Sequence, residues 1–219
     1  MFGGPTGHRV YRDTSPKKPA TILGKLAHNP TVKSRLAAKV ARTALLEKAQ
    51  APTKRVLITA HGAAYRDRRR WANAGYKIPD TTCPLVKVAH AKLDKLVAEG
   101  FKPVIIGKER HVEVRGLQGD FAKAQVILHP DDIATIPHAE RIGIISKTTQ
   151  PIDRVRALVN EVRKQRPKVE VVYFDTVYSP TKDRQTALHE LCHYAELIFA
   201  IGGKNSNNTA QLARTALKL

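Results

Sequence analysis

The sequence predicts an α/β fold of several small lobes, in which mostly parallel sheets are flanked by helices. Two observations support this prediction. Short runs rich in Val and Ile alternate with longer runs whose apolar residues recur every three or four positions, which is typical of parallel strands connected by helices. Polar residues, several of them histidines, also gather at the ends of the β-rich runs, where open α/β folds bind their ligands.

The first clear strand and the first clear helix start lie in the N-terminal half of the chain. The run VLITAHG (56–62) is predicted to be a strand that ends in a turn. Between Leu85 and Leu96 the apolar residues recur at three- and four-residue steps, which predicts a helix with Pro84 in its first turn. Cys83 therefore lies where a loop passes into a helix N-terminus.

Cys83 has two interpretations. The partial positive charge of a helix N-terminus favours the thiolate form that a metal, a cluster or an electrophile needs. A single cysteine is otherwise a small buried apolar residue, which is the more common case. The residues alone leave both interpretations open.

The rest of the chain continues the same alternation, and it is predicted to divide at weak boundaries near residues 83 and 173. Strands are predicted over 102–107, 123–130, 140–150, 169–177 and 197–206, and helices over 151–165, 183–197 and 207–219. The predicted units are a poorly ordered basic N-terminus (1–20), a first α/β lobe (21–83), a second α/β lobe (84–173) and a partial third lobe (174–219).

Composition limits the class of protein. A chain of 219 residues with 42% hydrophobic residues can bury a core, and no stretch approaches the roughly 18 apolar residues of a membrane helix, so no membrane insertion is expected. Two cysteines exclude a disulfide framework and suit a reducing, cytoplasmic location. The net charge of +19 predicts attraction to phosphates, to nucleic acid or another polyanion, or to an anionic membrane surface.

Several imidazole, hydroxyl and amide side chains follow the apolar parts of separate predicted strands. One polar residue at a strand end is expected from turn and capping chemistry alone. A whole set at the carboxyl ends of strands favours a shared anionic ligand, with backbone N–H groups of helix N-termini as further donors. The set consists of His61, His111, Thr148, Thr149, Ser206 and Asn208.

Seven ordered motifs resemble those of the LytB family, the 4-hydroxy-3-methylbut-2-enyl diphosphate reductases of isoprenoid synthesis. The TCPLV and KNS-x-N pieces are the most specific of them. The resemblance covers roughly residues 20–219. The motifs are LGKLAHNPTV (23–32), ITAHG (58–62), DTTCPLV (80–86), IIGKERHVEVRG (105–116), SKTTQ (146–150), DRQ (183–185) and GGKNSNN (202–208).

The resemblance implies a fold, an activity and a set of site residues. It implies small α/β lobes around a central cavity, and reduction of the allylic diphosphate to isopentenyl and dimethylallyl diphosphate with electrons from ferredoxin or flavodoxin. It also implies a 4Fe-4S cluster with Cys83 as the middle ligand, and a proton relay of Glu113 and Thr148. The implied substrate-binding residues are His28, His61, His111, Ser206 and Asn208.

The chain departs from the family pattern at the cluster ligands. Residues 1–27 contain no cysteine where the family has its first ligand, and Tyr178 stands where the family has its third. Cys192, the other cysteine, is predicted to be a core residue within a helix. Lys147 replaces a glutamine of the family, and the third lobe is expected to be truncated. A single cysteine does not hold a cubane, so the cluster is expected to be absent or incomplete in the isolated chain.

A different class of function is also consistent with the sequence, namely a non-catalytic phosphate- or RNA-binding protein on the same scaffold. Its support is the missing cluster cysteines and two basic runs, RDRRR (66–70) and KVARTALLEK (39–48). A run of charge is also typical of an ordinary solvated face. Aromatic residues make up only 5% of the chain, which disfavours recognition of RNA by base stacking.

Overall fold

Two parallel sheets form the framework of the part of the protein that the structure describes. The computed structural model describes residues 19–24, 41–44, 46, 50–202 and 206–219. The smaller sheet has the strand order β2-β1-β3, and all of its pairs are parallel. Its strands are β1 (Ala20–Leu23), β2 (Ala41–Ala44) and β3 (Val56–Ile58).

The larger sheet has four strands in the order β5-β4-β6-β7, again with every pair parallel. Small parallel sheets flanked by helices confirm the α/β class predicted from the alternating pattern. The predicted lobe boundaries stay a prediction. The strands are β4 (Lys102–Ile106), β5 (Gln125–Ile127), β6 (Arg141–Ser146) and β7 (Glu170–Phe174).

Helices connect and cover the strands. The helix expected after Cys83 begins at Pro84, and the helix expected from residue 151 begins at Ile152, so both predictions are confirmed. A short 3₁₀ helix covers Pro130–Thr135. The α-helices are α1 (Tyr65–Asn73), α2 (Pro84–Ala98), α3 (Val112–Asp120), α4 (Ile152–Gln165), α5 (Ser179–Cys192) and α6 (Asn207–Ala216).

The core lies mainly on the two faces of the larger sheet. Val155, Val159 and Val162 of α4 are buried on one face, while Leu93 and Leu96 of α2 are buried on the other. The three- and four-residue spacing of these apolar side chains turns one side of each helix towards the sheet. Packing against these helices holds the sheet in place. The residues that follow β4 and β6 therefore have fixed positions.

Some predicted elements differ from the structure. The strand predicted over 197–206 is wrong for residues 197–202, which form no strand and expose Phe199 by 77% and Ile201 by 93%. The apolar run resembles a strand, but none of the described strands lies beside it as a pairing partner. The N-terminus predicted to be poorly ordered (1–20) is described only at residues 19 and 20, and Ala20 already begins β1.

Membrane insertion was not expected, and the structure adds one finding on that point. Within the described parts of the chain, no helix combines the length and the apolar composition that spanning a bilayer requires.

Asp120, at the end of α3, joins three elements. Ala64, the N-cap residue of α1, has no side chain that can cap the helix. The Asp120 carboxylate takes this role, because it accepts from Tyr65 N at 2.7 Å and from Arg66 N at 3.4 Å. It also lies 2.9 Å from His90 Nε2 on α2. One carboxylate thus ties α1 and α2 to α3.

The turn before α1 lies against a glycine face of α3. Gly116 and Gly119 are three residues apart and therefore share this face. A methyl group placed on Gly119 would lie 2.5 Å from Cβ of Ala64, whereas one on Gly116 would find its nearest neighbour, Cα of Ala63, at 3.7 Å. Glycine at 119 therefore permits the close approach of the turn that carries His61.

We expect Gly119→Ala and Gly116→Ala to change the free energy of unfolding in opposite directions. Alanine in a helix interior is favoured over glycine by about 1 kcal/mol, and at residue 116 the new methyl group has room. At residue 119 the overlap with Ala64 should cost about 1–3 kcal/mol and exceed that gain. Urea unfolding of both variants measures the difference. A Gly119→Ala protein as stable as the Gly116→Ala protein would contradict this packing.

Candidate functional site

His61 and His111 come from different sheets and meet edge to face. Their ring centroids are 5.7 Å apart, with an angle of 74° between the ring planes. His61 follows β3 in a turn that ends at Gly62, whose φ of +76° lies in the left-handed region that favours glycine. His111 follows β4 as the N-cap residue of α3. These two imidazoles of the predicted set are thus in contact, and the convergence of the whole set stays a prediction.

The orientation of His111 follows from its capping bond. Its Nδ1 accepts from Glu113 N at 3.2 Å, which satisfies one N–H group of the first helical turn. In the neutral ring the proton is then on Nε2, a donor of the kind that binds phosphate oxygens. Capping was one interpretation of this residue from the sequence, and the Nδ1 bond confirms it.

Glu113 is a buried carboxyl group held by Thr148. It is only 2% exposed. Its Oε1 accepts from Thr148 N at 2.8 Å and its Oε2 from Thr148 Oγ1 at 3.1 Å. Burial raises the pKa of Glu113, while the charge of Lys147 and the two bonds from Thr148 oppose that change. A carboxyl group that keeps its proton more readily than usual is suited to general acid catalysis.

Lys147 lies beside this pair and is 3% exposed. Its backbone N donates to Ile106 O at 2.8 Å, which fixes it at the end of β6. Its ammonium group donates to the Thr149 hydroxyl. Burial lowers the pKa of Lys147, and the nearby Glu113 opposes this effect. The sequence places Lys147 within a motif, but nothing in the motif indicates that the side chain is buried.

Cys83 lies near the turn that carries His61, called the histidine turn below. Its backbone N donates to Ala60 O at 2.9 Å, and it is the N-cap residue of α2, as the sequence predicts. A methyl group on Gly62 would lie 3.2 Å from Cγ2 of Thr82, so glycine allows the two turns to approach. The thiol is half-buried rather than enclosed in the core. The structure therefore does not support the simple buried-residue interpretation.

The turn before Cys83 is held by ion pairs around Asp80. Its carboxylate lies 3.2 Å from Arg68 Nη2 and 2.5 Å from Lys87 Nζ. Partial burial opposes the shift, but the bonds from Lys87 and Thr82 and the charge of Arg68 bring the pKa of Asp80 well below its usual range. A small cavity next to this turn is lined by His61, Arg68, Thr82, Lys87, His90 and Glu113, among others.

Tyr178 occupies a position that parallels that of Cys83. Each is the N-cap residue of a helix with proline in its first turn, with φ of −58° at Cys83 and −62° at Tyr178. The backbone N of Tyr178 donates to Thr148 O at 2.7 Å, so this residue adjoins the Glu113–Thr148 pair. The structure thus places a phenol rather than a thiol at the second helix N-terminus.

The residues of this site do not fit a 4Fe-4S cluster, which is normally held by cysteine thiolates. Among the described residues, no three His, Cys, Asp or Glu side chains are grouped so that they would hold a metal ion. Cys192 is not mid-helix as expected but ends α5, half-buried. Since α5 begins directly after Tyr178 and rises about 1.5 Å per residue, Cys192 lies about 20 Å along the helix from that end. Cys83 is thus the one thiol beside the histidine turn.

The outcome for the remaining predicted site residues is mixed. Ser206 is the N-cap residue of α6, where its hydroxyl accepts from Thr209 N at 3.3 Å. Its convergence with the histidines stays a prediction. His28 and the side chain of Asn208 lie outside the described residues. Sequence reasoning did not include Arg68 or Lys87 in the site, because their position depends on the ion pairs with Asp80.

Fold and site together define an α/β protein in which two imidazoles adjoin a buried carboxyl group at the strand ends. The LytB protein family matches residues 8–219. The chain belongs to the LytB family.

Similar proteins agree with this membership. A 4-hydroxy-3-methylbut-2-enyl diphosphate reductase of Dictyoglomus thermophilum is 34% identical over 198 residues, which cover 90% of this chain and 69% of the relative. A structure of (E)-4-hydroxy-3-methyl-but-2-enyl diphosphate reductase, described as the terminal enzyme of the non-mevalonate pathway, is 29% identical, with a TM-score of 0.73 over 96% of this chain and 75% of that one.

A further structure supports the fold alone. The E-1-hydroxy-2-methyl-but-2-enyl-4-diphosphate reductase of Plasmodium falciparum is 22% identical, with a TM-score of 0.85 over 96% of this chain and 67% of that one. The chain therefore spans about two thirds to three quarters of the length of these three proteins.

Proposed function

We propose that this protein binds 4-hydroxy-3-methylbut-2-enyl diphosphate at the strand-end site and belongs to the reductive step that yields isopentenyl and dimethylallyl diphosphate. The observation that carries the proposal is the Glu113–Thr148 pair, buried next to the His61–His111 pair. A buried acid beside anion-binding imidazoles suits a ligand with a diphosphate at one end and a departing hydroxyl at the other. Relatives named as reductases of this diphosphate support the same substrate.

The chain's own residues supply binding and proton transfer. His61 and His111 donate to the diphosphate oxygens, and the predicted contacts His28, Ser206 and Asn208 complete this proposed set. When Glu113 is protonated, the proton lies on Oε2 and is shared with Thr148 Oγ1, 3.1 Å away. A threonine hydroxyl accepts one proton while donating another, so Thr148 relays the proton to the leaving hydroxyl.

The redox part of the proposal needs groups that this site does not supply. A cluster with Cys83 as one ligand requires further thiolates from outside this site. Ferredoxin or flavodoxin as the electron donor, and a cytoplasmic location, remain parts of the proposal that rest on the family and on cysteine usage.

Pyrophosphate is expected to raise the melting temperature of the protein, because a ligand that binds only the folded state stabilises it. At 100 times its dissociation constant, the gain in free energy of unfolding is about 2.7 kcal/mol. His61→Ala should lose most of this shift, since it removes one ring of the histidine pair. His138→Ala, at an exposed residue outside the site, is the matched control and should keep the whole shift. A shift of equal size in both variants would contradict the proposed site.

Family membership favours the diphosphate over the alternative of RNA binding. The structure also assigns local roles to part of the basic run on α1. Arg68 pairs with Asp80, and Arg70 pairs with Asp67 and donates to Leu46 O at 2.5 Å. Two of the four arginines in this run therefore have partners within the chain, and their presence does not require a polyanion. Binding to a generic RNA that is tighter than that of a small basic control protein, and steeply weakened by salt, would revive the alternative.

A further inference from the structure

We propose that Lys147 is a positioning residue whose buried ammonium group sets the charge of Glu113 from the neighbouring turn. The inference rests on the proposed function, in which Glu113 carries the proton. Lys147 and Thr148 are consecutive residues after β6, and Thr148 holds both carboxylate oxygens of Glu113. The Lys147 ammonium group contacts this turn at Thr149, and the Glu113 carboxyl group contacts it at Thr148.

The burial of both groups makes them dependent on each other. Lys147 is 3% exposed and Glu113 is 2% exposed. The ammonium donates to Thr149, a neutral hydroxyl that does not balance its charge. Moving an isolated ammonium out of water costs several kcal/mol unless an opposite charge lies nearby. Glu113 is the buried carboxyl group whose negative charge favours the charged form of Lys147, so the ionisation of each buried group depends on the other.

The backbone at Gly107 lies close to the start of the Lys147 side chain. A methyl group on Gly107 would lie 3.2 Å from Cβ of Lys147 and 2.8 Å from Cγ2 of Val114. Glycine at this position therefore lets the start of the Lys147 side chain pack closely beneath α3. The neighbouring Gln150 is also buried, at 6% exposure.

Other charged groups that face Glu113 have partners of their own. From α1 and α2, Arg68 and Lys87 line the same cavity, but both are paired with Asp80. His90 of α2 is paired with Asp120.

Among the remaining titratable groups, His111 and Arg115 belong to the start of α3 itself and His61 to the turn after β3. Arg115 is exposed and His61 and His111 are half-buried, so water screens their charges more than that of Lys147. Lys147 is therefore the cation buried together with Glu113.

The consequence is a proton affinity of Glu113 that depends on Lys147. A charged Lys147 stabilises the carboxylate and lowers its proton affinity, whereas a neutral residue of similar length leaves desolvation unopposed. A nearby opposite charge shifts the proton-dissociation constant of a carboxyl group by about tenfold or more. Lys147→Met should therefore lower the dissociation constant of Glu113 by at least that factor, and Lys147→Arg should keep it near the wild-type value.

The experiment is a ¹³C NMR titration of Glu side-chain carboxyl groups in the ligand-free protein, in which loss of one signal in Glu113→Gln identifies the residue. Wild type, Lys147→Met, Lys147→Gln and Lys147→Arg are compared, with Lys164→Met at an exposed site of α4 as the matched control. A shift in both neutral variants, absent from the arginine and control variants, is expected.

An unchanged Glu113 titration in whichever neutral variant remains folded would overturn the proposal. A shift of the same size in the Lys164→Met protein would overturn it as well. No ligand is present in this titration, so its outcome is separate from the pyrophosphate test of the proposed function. A failure of one does not imply failure of the other.

Discussion

Anaerobic reconstitution with iron and sulfide is expected to leave the isolated chain without a stable four-iron cluster. Such a cluster is held by cysteine thiolates, and the chain places one thiol, Cys83, at the candidate site. Tyr178 offers a phenol at the parallel helix N-terminus, and Cys192 lies at the far end of α5. Iron content and visible absorbance after removal of free iron measure the outcome.

The same experiment has a clear contrary result. About four iron atoms per chain, with absorbance lost in Cys83→Ala and kept in Cys192→Ala, would show that Cys83 takes part in a cluster that the chain itself completes. The Cys192→Ala protein is the matched control, because it removes the other of the two cysteines.

Replacing Asp120 with alanine is expected to lower the free energy of unfolding by about 2–5 kcal/mol. The change leaves Tyr65 N and Arg66 N without their acceptor and removes the partner of His90. The side chains of His90 and Asp120 are only 10% and 11% exposed, so water replaces the lost carboxylate poorly. Urea unfolding gives the change in free energy.

Two variants control this measurement. Asp120→Asn keeps an acceptor for the N–H groups of α1 and should lose less stability than Asp120→Ala. Asp94→Ala, at an exposed position of α2, should change stability by no more than about 0.5 kcal/mol. If Asp120→Ala unfolds like the Asp94→Ala protein, the carboxylate does not join the three helices in solution.

The sequence predicted the elements whose pattern is regular. The start of α2 at Pro84 and the apolar face of α4 followed from helical spacing and the position of proline. Helix α1 was not predicted from the sequence. It is rich in arginine and buries one large residue, Trp71, so its sequence has no recurring apolar pattern. The strand predicted over 197–206 had suitable residues, but a strand also requires a neighbour, which a local pattern does not reveal.

The candidate site, like the fold, could be predicted from the sequence only in part. Placement of His61 and His111 after separate strands led to the prediction of a shared ligand site. The two strands belong to different sheets, so the contact between the rings depends on tertiary packing that the sequence does not reveal. The pairing of Glu113 with Thr148 was implied by the family resemblance alone, since the two residues are 35 positions apart. The burial of Lys147 was not predictable, because an isolated lysine in a motif usually lies at the surface. The burial of Lys147 depends on tertiary packing against Gly107.

Titration calorimetry of 4-hydroxy-3-methylbut-2-enyl diphosphate tests the central claim, that the strand-end site binds an allylic diphosphate. The wild-type protein and His138→Ala are predicted to bind it saturably, with at least about tenfold weaker binding by His61→Ala, as expected for the loss of a hydrogen bond to a charged group. The same alcohol without its diphosphate should not bind measurably. Equal affinity of all three proteins for the diphosphate, or equal binding of the alcohol, would contradict the account.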